Sequence, residues 1–212
     1  MVDLHSHSSA SFDSLSNPVA LARAAAARGI THLAITDHDR VDGAQRARDA
    51  HVPGITIIVG SEVRTQAGDM IALFIERPLQ VGLPPEEAIA AIRAQGGLVG
   101  IPHPFDAWRG SLLLDDRFLA LLPLVDFIEG WNARLVAPGG NQRAAEIAAT
   151  HGIPSVASSD AHSIMEIGNA ASILTGNPST PAGMRAALAA PHELITGRGS
   201  FVARAIMPAV KL

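Results

Sequence analysis

The chain has 212 residues, a formal net charge of −4 and no cysteine, and its length fits one domain. The lack of cysteine excludes disulfides, zinc–thiolate sites and thiol nucleophiles, and leaves His, Asp and Glu as the strong metal ligands. The acidic balance argues against a broad nucleic-acid surface. With no signal-peptide pattern and no apolar stretch long enough to span a bilayer, we expect a cytoplasmic protein that contacts no membrane.

The chain opens with the stretch Asp3-Leu4-His5-Ser6-His7, which holds two histidines one residue apart. In an extended strand the side chains of residues i and i+2 lie on one face, so His5 and His7 can point at one object. Such a pair is a weak sign of a metal site by itself, because it also occurs on ordinary surfaces. Its meaning depends on whether other ligands reach the same place.

Apolar strand patterns then alternate with helical patterns along the chain. Asn17 and Pro18 predict the N-cap and first position of a helix, and Thr180 and Pro181 predict the same for the last one. The predicted helices cover residues 18–28, 43–50, 84–92, 141–150 and 184–189. The predicted strands after the opening stretch cover residues 30–36, 55–59, 70–75, 98–101, 124–128, 155–157 and 170–174. This alternation, with short linkers, predicts a parallel sheet with outer helices.

Titratable side chains collect where these predicted strands end, and five of the nine histidines are among them. They are His5, His7, Asp37, His38, Glu62, His103, Asp160 and His162. In a (β/α) barrel the carboxyl ends of the strands share one face, and reactive groups sit on that face. The number of ligands favours a multinuclear metal site, because a mononuclear catalytic zinc site needs only about three protein ligands.

The same motifs, taken together, resemble the PHP family (polymerase and histidinol phosphatase). The resemblance spans residues 1–162 and rests on residues 3–7, 36–39, 60–62, 103–104 and 159–162. It implies an α/β fold, a distorted (β/α)7 TIM-like barrel of the PHP type, in which residues 1–212 form a single domain. It also implies two to three divalent metal ions (Mn, Fe or Zn) that act on phosphate esters.

The resemblance implies a metal ligand set by position. A first metal would be held by His5, His7, Glu62 and Asp160, a second by Glu62 and His103, and a third by Asp13, His38 and His162. Asp37 would orient a ligand. Many relatives have a histidine just before the strand at residues 70–74, where this chain has Asp69. Either Asp69 replaces that ligand or the second metal is loosely held, and the sequence leaves both readings open.

The implied reaction is hydrolysis of a phosphate ester by a hydroxide that bridges two metal ions. The leaving alkoxide needs a proton, and His38 or a metal-bound water would supply it. The implied substrate is a small phosphomonoester or a nucleotide-type molecule, such as a nucleoside 3′,5′-bisphosphate or the end of a short oligonucleotide. Arg109, Asn132 and Arg134 are predicted substrate contacts, because arginine suits bidentate phosphate binding. A solvated loop residue is an equally good reading of each arginine alone.

Three other functions compete with this one. A histidinol phosphatase would have the same cluster, and a metal-binding accessory module without turnover would have lost ligands that this chain retains. A metal-dependent amidohydrolase commonly uses a carboxylated lysine. The one lysine of this chain, Lys211, is at the C-terminal end of the sequence, which disfavours that reading.

Overall fold

A computed structural model describes residues 1–106, 111 and 119–199. Nine strands, five α-helices and one 3-10 turn (Leu122–Leu124) lie in these residues. The strands are β1 Val2–Asp3, β2 His32–Ile35, β3 Thr56–Arg64, β4 Asp69–Leu73, β5 Leu98–Ile101, β6 Phe127–Asn132, β7 Ser155–Ser158, β8 Ala170–Ile173 and β9 Glu193–Thr196. The helices are α1 Pro18–Ala27, α2 Asp42–Asp49, α3 Pro85–Ala94, α4 Gly140–Thr150 and α5 Pro181–Ala189. Within this described part, no helix is long and apolar enough to cross a membrane.

The strands form one sheet in the order β7-β6-β5-β4-β3-β2-β1-β8-β9. The segments that follow β1 and β7 come together and nearly close this sheet into a barrel, since Ser6 and Ala161 form a parallel bridge. The amide of Asp160 donates to the carbonyl of His5 (2.9 Å), and the amide of His7 donates to the carbonyl of Ala161 (2.8 Å). The predicted distorted barrel is therefore confirmed, and its closure joins the two histidine-bearing segments that follow β1 and β7.

The prediction that the sheet is parallel throughout is wrong in two places. β4 runs antiparallel to β3 and β5, and β8 runs antiparallel to β1 and β9. β3 and β4 are joined by residues 65–68, where the amide of Thr65 donates to the carbonyl of Gly68. So short a connection can form only a hairpin, because a parallel crossover needs about a dozen residues. As a result, the start of β4 lies at the same edge of the sheet as the ends of its neighbours.

Other predicted elements differ from the structure mainly at their ends. β3 continues to Arg64, because its last residues pair with β4. The predicted strand at 124–128 is wrong in its first half: a 3-10 turn occupies Leu122–Leu124, and β6 starts only at Phe127. β9 was not predicted. The two N-caps are confirmed, since Asn17 Oδ1 accepts from the amide of Val19 (3.0 Å) and Thr180 Oγ1 accepts from that of Gly183 (3.1 Å).

Apolar packing fills the amino-terminal part of the barrel and leaves its other end for polar groups. Phe127 on β6 is fully buried among side chains that include Leu4, Ile71 and Leu98. Gly100 on β5 leaves room for it, because a Cβ atom there would lie 2.2 Å from the Phe127 ring. A second buried cluster lies between the sheet and the helices. The core therefore supports the strands from both sides up to the edge where their carboxyl ends meet.

Candidate metal centre

A cavity of about 600 Å³ opens at the carboxyl-end edge of the barrel. The lining includes Asp69 and six residues that the sequence predicted as ligands. The six are Asp13, His38, Glu62, His103, Asp160 and His162. The barrel topology therefore brings side chains from distant parts of the chain into one concave space, as was expected for strand ends of a (β/α) barrel.

His5 and His7 lie at the bottom of this cluster and are completely buried. Their Nε2 atoms are 3.0 Å apart. The Nε2 atom of His5 lies 3.2 Å from Glu62 Oε2 and 3.6 Å from Asp160 Oδ1, and that of His7 lies 3.3 Å and 3.5 Å from the same two atoms. The four residues predicted for a first metal are therefore gathered around one point, which we call the inner group.

The remaining predicted ligands extend from Glu62 in two directions. Glu62 Oε1 lies 2.9 Å from His103 Nε2, whereas its other oxygen faces the inner histidines. Asp13 Oδ2 lies 2.9 Å from His162 Nε2 and 3.2 Å from His38 Nε2. We call Asp13, His38 and His162 the outer group. Three overlapping sets have ligand atoms close enough to hold an ion: His7 with the outer group, His5 with His103 and Asp160, and His5 with His7 and Glu62.

The hydrogen bonds on the far side of the rings decide which nitrogen faces the centre. The Nδ1 atom of His5 bonds Glu129 Oε1 (2.9 Å), and that of His162 bonds the carbonyl of Asp160 (2.9 Å). The carbonyl of Asp160 and the ionised carboxylate of Glu129 can only accept hydrogen bonds. Each Nδ1 therefore carries the proton of the neutral ring, and each Nε2 presents a lone pair. These lone pairs face carboxylate oxygens. An acceptor opposite an acceptor requires a cation or a proton between them.

An orphaned atom in the outer group supports the same conclusion. Asp13 Oδ1 is buried and has no hydrogen-bond partner among the described residues. A buried carboxylate oxygen without a partner is costly unless a cation meets it. Histidine nitrogens and carboxylate oxygens in this arrangement are the donor set that suits Mn, Fe and Zn ions. The residues therefore fit a cluster of divalent ions.

The charges of the cluster shift the pKa values of its members strongly. Burial lowers the pKa of His7, but the bonds to Asp160 and Glu62 outweigh it and raise the pKa to about 9. Burial and the neighbouring His7 lower the pKa of His162 to about 4. Burial raises the pKa of Glu62, yet His5 and His38 bring it well below the ordinary value. Clusters of buried groups with such opposite pKa shifts are typical of functional sites.

Two ligand positions also have an uncommon backbone conformation. His103 has φ +25° and Asp160 has φ +51°, and only a few per cent of residues other than glycine have a positive φ. Such conformations cost free energy and persist where the surrounding structure holds them, as they do at binding and catalytic sites. Here they turn both side chains into the cavity from the loops after β5 and β7.

Asp69, the alternative ligand, is the first residue of β4 and lines the cavity. It bridges to Ser111, whose Oγ lies 2.7 Å from His103 Nδ1. Burial, and then the charge of Glu62, raises the pKa of Asp69 to about 7. Asp69 is not a member of the three sets of close ligand atoms found in the described residues. Its role as a ligand stays a prediction.

Asp37 lies beneath the loop that follows His7 and does not enter the cavity lining. It accepts from the amide of Ser8 (2.6 Å) and from the Ser8 hydroxyl (2.7 Å). This contact fixes the segment that carries His7, which is consistent with the predicted orienting role. Whether Asp37 and His38 take part in catalysis stays a prediction.

Sequence reasoning gave no role to Glu129, which is fully buried on β6. Its Oε1 contacts His5 Nδ1, and its Oε2 accepts from the amide of His103 (2.8 Å) and the side chain of Asn132 (2.9 Å). A carboxylate directly after two apolar strand residues is the signal that could have identified it. Glu129 orients two predicted ligands at once.

Two of the three predicted substrate contacts occupy other places. Asn132 is buried and donates to Glu129 Oε2 and to Asp160 Oδ2 (3.1 Å), so it lies behind Asp160. Arg134 is mostly buried, with Nη1 3.5 Å from Glu166 Oε2. Neither Asn132 nor Arg134 lines the cavity that holds the predicted ligands. Arg109 lies outside the described residues. Substrate contact by these residues stays a prediction, whereas Arg64, which was not predicted, does line the cavity.

A near-closed barrel with buried His, Asp and Glu side chains at its carboxyl end defines a class of proteins whose barrel face can hold several divalent ions. The family follows from the sequence comparison. This chain belongs to the PHP family: the PHP domain matches residues 3–121, and the PHP-associated region matches residues 138–190. An uncharacterized protein of Methanocaldococcus jannaschii, MJ0417, is 34% identical over 172 residues, which are 80% of this chain and 68% of that protein.

Solved structures share the fold at lower sequence identity. A two-domain protein of Bacteroides vulgatus that contains a predicted PHP-like metal-dependent phosphoesterase superimposes with a TM-score of 0.75 at 22% identity. The match covers 92% of this chain but 64% of that one. Endonuclease Q, solved with a 27-mer duplex that has an abasic lesion at the active site, gives a TM-score of 0.68 at 21% identity over 91% of this chain and 57% of its own. At these identities the likeness shows the fold alone.

Proposed function

We propose that the protein is a metal-dependent phosphoesterase that hydrolyses a small phosphomonoester or a nucleotide-type substrate. The observation that carries this proposal is that the Nε2 atoms of His5 and His162 face carboxylate oxygens at 2.9–3.6 Å. Two or three divalent ions (Mn, Fe or Zn) would be held by the inner group, by Glu62 with His103, and by the outer group. Family membership supports the reaction class.

The ions, when bound, supply an activated water and withdraw charge from the phosphoryl oxygens. The chain supplies the fixed geometry around them. Glu62 presents one oxygen to the inner histidines and the other to His103, so its carboxylate would help to hold an ion on either side. The barrel walls bury the inner ligands, which removes competing water and strengthens each interaction with charge. A Ser or Cys nucleophile is not needed for this chemistry.

In the form with two ions, in which His38 coordinates none, His38 is the best-placed side chain to donate a proton to the leaving alkoxide. Its side chain is 21% exposed, whereas those of His5, His7, His103 and His162 are 0–7% exposed. It lies at the cavity edge between Asp13 and Glu62, with the Phe12 ring stacked on it at 4.9 Å. An exposed imidazole can exchange its proton with solvent after each turnover.

The size and charge of the cavity favour a small substrate. A space of about 600 Å³ is within the range that holds a molecule of nucleotide size. The net charge of −4 gives no broad basic surface for a long duplex. Endonuclease Q has the same fold and was solved with a 27-mer duplex substrate, which supports the end of a nucleic-acid strand as an alternative, polymeric substrate. Histidinol phosphate is the competing small substrate.

The test combines metal analysis with a panel of phosphate esters. Purified protein reconstituted with Mn²⁺ should contain at least two equivalents per chain and should hydrolyse members of a panel that includes nucleotides and histidinol phosphate. His5→Ala should abolish turnover and lower the metal content, because Nε2 of His5 faces Glu62 and Asp160. His51→Ala is the matched control, since His51 is exposed after α2 and bonds only the carbonyl of Arg48.

The outcomes separate the competing functions. Protein that takes up no metal after reconstitution, or a His5→Ala variant with full activity, contradicts the proposal. Protein that binds metal stoichiometrically but hydrolyses no ester is the result expected of an accessory module.

A further inference from the structure

Arg64 stands at the mouth of the cavity on the strand that carries Glu62. The two residues are separated by one position on β3, so they share a face and lie about 7 Å apart along the strand. The side chain of Glu62 is 2% exposed and that of Arg64 is 66% exposed. One strand therefore places a predicted metal ligand at the bottom of the cavity and a cation at its opening.

The guanidinium is held in place by Asp39. Asp39 Oδ1 accepts from the backbone amide of Arg64 and Oδ2 accepts from Nη2, both at 2.9 Å. The amide of Asp39 in turn donates to the carbonyl of Glu62 (2.9 Å). The Nε and Nη1 atoms of Arg64 have no hydrogen-bond partner among the described residues. These two atoms carry three N–H groups that can donate to an anion.

The rest of the cavity explains why this cation matters. Arg64 is the only Arg or Lys among the described residues that line it, and five carboxylates line it as well. These are Asp13, Asp39, Glu62, Asp69 and Asp160. Metal ions would compensate the carboxylates of the cluster at the bottom. Away from the cluster, Arg64 is the one side chain of the described lining that offers a permanent positive charge to an anionic group.

We propose that Arg64 determines substrate specificity by binding a second anionic group, a phosphate or a carboxylate, on the leaving-group side of the phosphate ester. The proposal rests on the proposed function for the placement of the scissile phosphoryl group at the cluster. Asp39 holds the guanidinium fork ready for this second group. A phosphate ester with an uncharged leaving group gains nothing from Arg64.

Binding of non-hydrolysable probes tests this proposal without turnover. The carboxylate probes are ω-phosphonocarboxylates with two to four methylenes, each compared with the alkylphosphonate of equal length by calorimetry on Mn²⁺-loaded protein. Arg64→Gln should weaken the binding of the phosphonocarboxylates roughly ten- to a hundredfold, which is the effect of losing a charged hydrogen bond. It should weaken the binding of the alkylphosphonates by less than about twofold. Arg64→Lys should restore part of the difference, because lysine keeps the charge but not the fork.

Arg46→Gln is the matched control, because Arg46 is 59% exposed and pairs with Asp42 on α2, away from the cavity. It should leave the affinity for both classes of probe unchanged. Equal weakening of both classes by Arg64→Gln, or no weakening, overturns the proposal.

Kinetics test the phosphate form of the second group. For wild type, kcat/KM should be higher for adenosine 3′,5′-bisphosphate than for adenosine 5′-monophosphate. Arg64→Gln should remove that preference through KM rather than kcat, because the reacting atoms lie at the cluster. A preference that survives in Arg64→Gln contradicts the phosphate form, and the probe series then shows whether a carboxylate is bound instead. If wild type hydrolyses neither nucleotide nor any panel ester, the proposed function fails, while the binding series still decides the role of Arg64.

Discussion

The inner and outer groups of the candidate metal centre are built in different ways. The inner side chains of His5, His7, Glu62 and Asp160 are 0–2% exposed, whereas Asp13 and His38 of the outer group are 29% and 21% exposed. Three of the inner residues, His5, His7 and Asp160, lie where the segments after β1 and β7 join by backbone hydrogen bonds, and the fourth, Glu62, is on β3. Asp13 lies in the loop between β1 and α1. The barrel therefore fixes the inner ligands and a loop presents part of the outer group.

The supporting contacts differ as well. His5 of the inner group and His103, which contacts Glu62, are both bonded to Glu129 on β6. The described hydrogen bonds of the Asp13 side chain go only to His38 and His162, which are outer ligands themselves. Ligands whose positions are fixed before binding pay less conformational entropy when an ion arrives. We therefore expect the inner ions to bind more tightly and the outer ion to exchange more readily.

Removing the support of the inner group should produce the largest change. In Glu129→Gln, the amide nitrogen must face either His5 Nδ1–H or the two donors at the other oxygen, and His103 provides one of them. The first arrangement favours the tautomer that protonates His5 Nε2 and removes its lone pair from the centre. Calorimetric Mn²⁺ titration should show the tight class of sites weakened roughly ten- to a hundredfold, the usual range for such orienting residues.

Glu146→Gln is the control for this experiment, because Glu146 is on the outer surface of α4 and bonds Gln142. It should leave both classes of sites unchanged. Equal weakening of the tight and weak sites in Glu129→Gln would show a general loss of structure instead of a specific orienting role, and circular dichroism at each titration temperature distinguishes the two.

Weakening the outer group should have a smaller and more selective effect. Asp13→Asn removes the charge shared by His38 and His162, but it leaves the inner ligands and Glu129 in place. The weak class of Mn²⁺ sites should lose about tenfold in affinity while the tight class keeps its affinity. Asp49→Asn, at an exposed position on α2, should alter neither class. A variant of Asp13 that loses both classes together would show that the two groups are one cooperative unit.

The inner group is also the part of the centre that the sequence predicts best. His5, His7 and Asp160 flank short apolar strands, so their place at one edge follows from the topology of a barrel. The i, i+2 spacing of His5 and His7 predicts convergence on one point, and their Nε2 atoms are indeed 3.0 Å apart. The assignment of each ligand to a particular ion came from the family resemblance and stays a prediction.

The residues that the sequence missed depend on pairing across the sheet. Glu129 was placed beyond the end of a strand that in fact begins at Phe127, so its inward direction was not apparent. Arg64 and Asp69 face each other because β3 and β4 form a hairpin. A reading based on parallel strands has no reason to place the start of β4 at the carboxyl-end face. The local turn at residues 65–68, and not hydrophobic periodicity, determines that placement.

Asp69 belongs to neither group and gives the smallest expected effect. In the metal-free protein its pKa is raised to about 7 by burial and by Glu62, from an ordinary value of 3.8. A carboxyl group with a raised pKa costs stability progressively as the pH rises from about 4 to about 7, and the cost is then constant. Asp69→Asn should therefore raise Tm at pH 8 by roughly 2–4 °C, about 1 kcal/mol in a domain of this size, and by less at pH 5.

The same variant distinguishes the two readings of the second metal. If Asp69 is a ligand, the gain in Tm is confined to chelator-treated protein, and with Mn²⁺ the variant becomes less stable than wild type because it binds one ion less tightly. Asp69→His should then recover the lost affinity, since an imidazole is an equivalent donor at that position. If the second ion is held by Glu62 and His103 alone, Asp69→Asn keeps its gain in Tm with Mn²⁺ present. An unchanged Tm at both pH values would contradict the buried, charge-opposed environment of this carboxyl group.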